Sequence, residues 1–472
     1  MPTSRAHAIF KLSTFAWRLL AGLSLAILLA ACGGGGASSS TAATPTPTPT
    51  PVGSATSSFG LSLPSAGLKA QDLGVIVAEG DVLSEAVAAY YQSARGVPAS
   101  NIIRVKLNTG AETISANDFA ALKADIDAKL PTSVQATLLT WIAPTRVVGT
   151  CAMSITSALA FGYDAKYCGA GCASTAASPY YDTESNKPWT DHKFRPSMML
   201  GARTLDAARS LIDRGVRADA SQPSGSGYLL RTSDAARSVR YGDYTGLPAS
   251  WAGRLQLSYT DNSAGAASDG IVGKADVLFY FTGKAVVPNL SSNSFLPGAA
   301  ADHLTSFGGA LPSGWGQMPI TDWLDAGATA SYGTVEEPCN YTQKFSQASV
   351  LIDHYYRGAT LIEAYWKSVQ WPGQGLFVGE PLAKPFADQA SFSLEGGQYL
   401  IKTRSLRPNG NYTLEFRSGP TGSWTSLATF KIVRAEQQTL NAPLPPASAT
   451  QLRWRGPCPD NNSLQCTLSE SP

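Results

Sequence analysis

The chain has 472 residues, 44% of them apolar, enough for two or three domains with sizeable cores. Its 36 basic and 34 acidic residues leave a net charge of +2, without the basic footprint that phosphate binding needs. Nucleic acid is therefore set aside as a partner.

Arg5, Lys11 and Arg18 lead into an apolar run from Leu19 to Ala31 that is too short and wrongly flanked for a stable membrane span, so residues 1–31 read as a signal peptide. The run ends Leu29-Ala30-Ala31-Cys32, which resembles the lipobox of bacterial lipoproteins. That resemblance implies acylation of Cys32, which becomes the first mature residue, and a membrane partner reached through the lipid. Gly33 in place of an acidic residue implies the outer membrane of a Gram-negative envelope. Residues 32–68 read as a linker, since GGGGASSSTAATPTPTPTP cannot form a core: flexible near the lipid, stiffer in its Pro-rich half. Export permits disulfides. Besides Cys32 there are six cysteines, Cys151, Cys168, Cys172, Cys339, Cys458 and Cys466, enough for three bridges, with local spacing favouring Cys458–Cys466.

From Leu73 to about Phe386, apolar strands alternate with amphipathic helices, the pattern of an α/β fold with a mostly parallel sheet flanked by helices. Leu73 to Ala78 is the first strand, followed by a helix with Val87, Tyr90, Tyr91 and Ala94 on one stripe that Gly96 and Pro98 stop. Ile102 to Leu107 is the second strand. Ser115 and Asp118 form a capping box before a helix that buries Phe119, Leu122, Ile126 and Leu130, and Ala136 to Ala143 is the third strand. Further strands are expected at Ser197–Gly201, Tyr228–Arg231, Val277–Phe281, Ala328–Tyr332 and Leu376–Val378. Helices are expected at Leu205–Arg217 and Ser346–Arg357, and after the capping box of Thr360 and Glu363. Cys168–Arg195 and Leu247–Asp269, rich in Gly, Ser, Pro and Asp, read as surface excursions. Beyond Phe386 the stretches FSLEGGQYLIKT, NYTLEFRS, SLATFKIVRA and ATQLRWRG alternate as short antiparallel strands, a separate small β domain over residues 387–457. Residues 458–472 form a disulfide-closed tail.

ARGVPASNIIRVKL, FRPSMMLGARTLDAARSLIDRGV and LFVGEPLAKPF resemble segments of gingipain-type cysteine peptidases and their caspase-like relatives, with Glu380 where that group has Asp. The resemblance implies a caspase/gingipain-like domain over residues 69–386 and an Ig-like fold for the β domain after it. FLPGAAADHLTSFGG, AGATASYGTVEEPC and GATLIEAYWKSV resemble signatures of an uncharacterised family of exported bacterial proteins. This second resemblance covers most of Leu73–Phe386 and implies no particular activity.

The peptidase chemistry needs an imidazole in a Gly-His-Gly turn at one strand end and a thiolate at the next. Here the turn is Thr282-Gly283-Lys284-Ala285, and no cysteine follows in DHLTSFGG. Lys284 reads as a base only if desolvated, and otherwise as a solvated charge. Ser306 is the nearest hydroxyl but lacks the Gly-x-Ser-x-Gly elbow. His303 with Cys339 forms a candidate relocated dyad near the C-terminal edge of the sheet, against the alternative that Cys339 is half of a disulfide with Cys151 a candidate partner. CGAGC at Cys168–Cys172 reads as a tight loop that a bridge can close. Asp191-His192, Asp302-His303 and Asp353-His354 raise a divalent metal as a cofactor, with Asp302 and His303 its candidate ligands; otherwise no cofactor is expected. Loop aromatics Tyr180, Tyr181, Trp189, Trp315 and Trp323 suit either a groove for a protein or glycan partner or ordinary core and rim. The leading expectation is a lipid-anchored envelope protein that binds or assembles on a degenerate peptidase-like scaffold. The alternative is a hydrolase using His303 with Cys339, Ser306 or a metal.

Overall fold

The computed structural model describes Phe59, Leu61 and residues 67–471 apart from positions 170, 389 and 436. The expected signal peptide, Cys32 and nearly all of the linker lie outside the described residues. Among the described residues, no helix is long and apolar enough to cross a membrane.

Ten strands build one mixed sheet, in the order Ile102–Val105, Leu73–Ala78, Ala136–Leu139, Ser197–Met199, Gly375–Gly379, Ala330–Thr334, Phe295–Leu304, Val277–Gly283, Ser226–Arg231 and Gln256–Asp261. Every neighbouring pair is parallel except one: Gly375–Gly379 meets Ala330–Thr334 antiparallel, with Tyr332 opposite Phe377. The first half of the sheet therefore runs against the second. Leu73–Ala78 and Val277–Gly283 are buried at every position, as strands covered on both faces must be.

The covering helices start and stop where local chemistry dictates. Asp81 caps Val82–Arg95 by accepting from Ser84 N, and Gly96 ends it in the left-handed region at φ 66°. Ser115 caps Ala116–Lys129 by accepting from Asp118 N at 3.1 Å. Thr360 and Glu363 form the expected capping box at Leu361–Ser368. Leu205–Ala218 and Ala348–Tyr356 complete the set of longer helices.

Two strands of the sheet were not among those expected. Phe295–Leu304 contains Pro297 and Gly298 followed by three alanines, none with strong strand preference. Its place between two neighbours selects small residues instead: Ala299, Ala300 and Ala301 are fully buried. ADHL is thus the end of a buried strand. Gln256–Asp261 is an edge strand in which only Leu257 and Tyr259 alternate as half-buried apolar residues, too short a pattern to stand out among its polar flanks. A small ribbon of Thr113–Ser115, Arg146–Val148 and Ala152–Ser154 adds a separate sheet.

The C-terminal strands form two antiparallel sheets around Tyr399, Ile401, Tyr412, Leu414, Leu452 and Trp454. One contains Ser391–Glu395, Gln398–Thr403 and Gln438–Pro443; the other contains Thr425–Lys431, Asn411–Arg417, Gln451–Cys458 and Asn461–Glu470. The expected tail is therefore largely a strand: Asn461–Glu470 pairs with Gln451–Cys458, and Cys458–Cys466 crosslinks them. Leu464, Cys466 and Leu468 alternate along it, but on this outer edge Leu464 is exposed and most of the other residues are polar, so the alternation does not stand out. Together with the α/β part these sheets belong to one compact unit.

The remaining bridges are Cys151–Cys168 and Cys172–Cys339. The expected Cys151–Cys339 pairing does not occur, and CGAGC is not closed on itself. Its two cysteines reach in different directions, joining the loop to the Arg146–Ser154 ribbon and to the segment after Ala330–Thr334.

Candidate functional site

The strand end at Thr282–Lys284 is shaped by close backbone packing. A Cβ on Gly283 would lie 1.8 Å from the Arg237 carbonyl oxygen, so glycine is the residue that admits this approach. Thr232 Oγ1 donates to the Gly283 carbonyl at 2.6 Å, and Arg240 Nη2 donates to the Thr282 carbonyl at 2.7 Å. Lys284 Nζ donates to Asp269 Oδ2 at 2.5 Å. Asp269 also accepts from Ser233 N at 2.8 Å, Ser233 Oγ at 2.6 Å and Asn262 Nδ2 at 2.7 Å. Burial pushes the Asp269 carboxyl up, but these donors hold it well below the usual carboxylate range. Lys284 is thereby one member of a closed polar network that ties down three loops.

Asp302 and His303 sit beside this strand end, in register with Phe281 and Thr282. Consecutive strand residues face opposite sides of a sheet, so the two side chains enter different environments. Asp302 is fully buried, with Arg240 Nη1 2.7 Å from Oδ1 and the Ser346 hydroxyl donating to Oδ2. Burial raises its carboxyl, and the Arg240 charge opposes that shift. His303 accepts at Nδ1 from Trp323 Nε1 at 2.9 Å, which leaves its proton on Nε2. Burial first, and then the nearby Arg240 charge, push its pKa down to about 3, so the ring is neutral. No group of three or more His, Cys, Asp or Glu side chains suited to a metal ion occurs among the described residues.

The other expected site residues are dispersed. Cys339 is bonded to Cys172 and carries no thiol. Ser306 is half-buried, and its carbonyl accepts from Thr334 Oγ1 at 2.9 Å. Glu380 is buried and accepts from Tyr91 Oη at 2.6 Å and Arg95 Nε at 3.0 Å, a clamp between helix and sheet. Of the loop aromatics, Tyr180 and Trp323 are fully buried and Trp315 is 43% exposed.

A denser concentration of charge lies where the α/β part meets the C-terminal sheets. Arg357 makes a two-pronged contact with Glu184, at 2.8 and 3.0 Å, and Nη2 also reaches Asp353 Oδ2 at 2.8 Å. Arg407, from the C-terminal sheets, approaches the same Glu184 at 3.3 Å and Asp182 at 3.5 Å. Arg357 Nη2 donates to His354 Nδ1 at 3.2 Å, so His354 Nε2–H donates to Asp182 Oδ1 at 3.0 Å. Burial raises the Glu184 carboxyl, but Arg357 and the other cations hold it far below its ordinary value. Burial, reinforced by Lys367, pushes His354 down. Of these, Glu184, His354 and Arg357 border a cavity of about 430 Å³ whose wall also includes Lys187, Glu363 and Lys367.

Sequence reasoning singled out Asp353-His354 and the Thr360–Glu363 box, yet missed this cluster. Asp182, Glu184 and Arg407 come from segments read as loops, and only folding brings them to His354. A larger open groove of about 670 Å³ lies beside Glu79, Lys106 and Asp118, but Lys129 on its wall is already paired with Asp125 at 2.7 Å. Compared with family models, curated proteins and solved structures, the chain matches none.

Proposed function

We propose that this chain is a binding or assembly module of the bacterial envelope, held to the outer membrane through a lipid on Cys32. Its α/β part is a caspase/gingipain-like scaffold without the thiol chemistry of that group, and its C-terminal sheets are an Ig-like domain. The observation that carries this reading is the Cys172–Cys339 disulfide, which leaves the candidate dyad without a sulfur nucleophile. Lys284 held by Asp269 and a neutral His303 held by Trp323 support it as well. A protein or glycan in the envelope is the partner class this reading implies.

Two measurements test it. Metabolic labelling with a fatty acid in a bacterial host should place label on the native chain and none on Cys32→Ser. Purified protein should hydrolyse neither peptides nor esters, with or without chelator or thiol alkylator. Turnover abolished by either reagent, or label retained in the Cys32→Ser chain, would overturn the reading.

A further inference from the structure

A smaller cavity of about 230 Å³ reaches down to the large sheet between the helices Ala116–Lys129 and Ile155–Phe161. Ile76 and Thr137, on two neighbouring strands, form its floor, and Ile126, Leu159 and Phe161 line its sides. Arg195 enters this apolar space and is only 6% exposed. Its Nε donates to the Val134 carbonyl at 2.9 Å, and its Cζ lies 3.5 Å from the centroid of the Trp189 ring. Neither Nη1 nor Nη2 makes a hydrogen bond among the described residues, and neither is sealed from solvent, so most of the N–H donors of this guanidinium are unspent.

The one carboxylate on the wall does not take them up. Asp127 Oδ1 stands 4.0 Å from Arg195 Nη1, beyond hydrogen-bond reach, while its Oδ2 accepts from Lys123 Nζ at 2.6 Å. Burial pushes the Arg195 guanidinium down, and Asp127 offsets this only in part. In Arg240 and Arg357 burial is outweighed by carboxylates at 2.7 and 2.8 Å, and the shift is upward. With Lys123 and Lys193 also on the wall, three cations face a single carboxylate.

A fork of charged donors set in an apolar cleft complements a carboxylate joined to an apolar body. A neutral guest would leave the fork unbonded, and inorganic phosphate would bring its charge against Ile126 and Leu159. A cavity of about 150 Å³ accommodates benzene, so one of about 230 Å³ has room for such a body with its carboxylate.

We propose that this cavity binds a small monocarboxylate with an apolar body of about six carbons, its carboxylate on the two Nη groups of Arg195 and its body against Ile76, Ile126, Leu159 and Phe161. The inference goes beyond the envelope-module reading and does not depend on lipidation or on the fate of the peptidase site.

The test is calorimetric titration of the full chain at neutral pH with hexanoate and benzoate, against hexanamide and benzamide as neutral isosteres and acetate and inorganic phosphate as anions without the body. Saturable binding of at least one of the two acids is expected. Each control should bind at least tenfold more weakly, about the worth of one charge-assisted hydrogen bond. Arg195→Met should lose at least tenfold in affinity with the native circular dichroism retained. Ala160→Leu, which fills the space while leaving the Arg195 contacts in place, should lose a similar factor and serves where Arg195→Met does not fold. Absence of binding to both acids at millimolar concentration overturns the proposal. So does an amide, acetate or phosphate binding as tightly as the acids, or unchanged affinity in a folded Arg195→Met or Ala160→Leu chain.

Discussion

Arg240 Nη1 lies 2.7 Å from Asp302 Oδ1, and both side chains are buried in the core of the α/β part. The same guanidinium donates to the carbonyls of Thr282 and Ser346, at 2.7 and 3.0 Å, so one cation holds the ends of two neighbouring segments. Asp302 therefore has a structural duty that accounts for its burial without a metal ligand role. Asp302→Ala should cost about 3–5 kcal/mol, because it leaves a guanidinium uncompensated in the interior. In a double-mutant cycle with Arg240→Met, the combined loss in urea unfolding should be smaller than the sum by about 2 kcal/mol or more. Additive losses would show that the two charges are not coupled.

Gly283→Ala places a methyl group on the Arg237 carbonyl, so the 232–238 loop has to move. The expected loss is about 1–3 kcal/mol. Gly246→Ala is the control, since a Cβ there meets nothing within 4 Å and the backbone already sits at φ −88°. Its thermal midpoint should stay level or rise slightly. Equal effects at the two positions would contradict the packing account of the strand end.

The Cys172–Cys339 bridge spans 167 residues of sequence and the Cys458–Cys466 bridge spans 8. Loop-closure entropy then predicts stabilisation of about 5 kcal/mol for the first and about 2.5 kcal/mol for the second. Cys172→Ser/Cys339→Ser should accordingly lower the unfolding midpoint more than Cys458→Ser/Cys466→Ser. The reverse order would place the main constraint in the C-terminal sheets.

Burial pushes the pKa of both His303 and His354 down. For His303 the pKa falls from 6.5 to about 3 on folding. A depressed histidine contributes stability that is fully present above the unfolded value and is lost as pH falls from 6.5 towards 3. The full contribution of His303 is on the order of 4 kcal/mol. Urea midpoints should therefore drop between about pH 7 and pH 5, ahead of most carboxylate protonation. His303→Asn, which keeps an acceptor for Trp323, should flatten that slope; an unchanged slope would assign it to other groups.

Much of the α/β part is legible in the chain because capping and burial leave local signatures. Ser115, Thr360 and the glycine at 96 mark helix boundaries within a residue or two, and fully apolar runs such as VLFYF mark central strands. Phe295–Leu304 was hidden because close packing there selects small residues over β-branched ones. The edge strands Gln256–Asp261 and Asn461–Glu470 were hidden because only one side of each is covered by a neighbour. The absence of histidine and cysteine from the Thr282–Ala285 turn was plain from the residues. Which cysteines pair, and which charges meet in the cavity beside Arg357, depends on contacts between distant segments that no local pattern encodes.

The antiparallel meeting of Gly375–Gly379 with Ala330–Thr334 gives this sheet two mouths instead of one. Loops leaving Leu73–Ala78 and Ala136–Leu139 open on one side, and those leaving Val277–Gly283 and Phe295–Leu304 open on the other. Each edge of this single β layer is thus framed by the carboxyl-terminal loops of only half its strands.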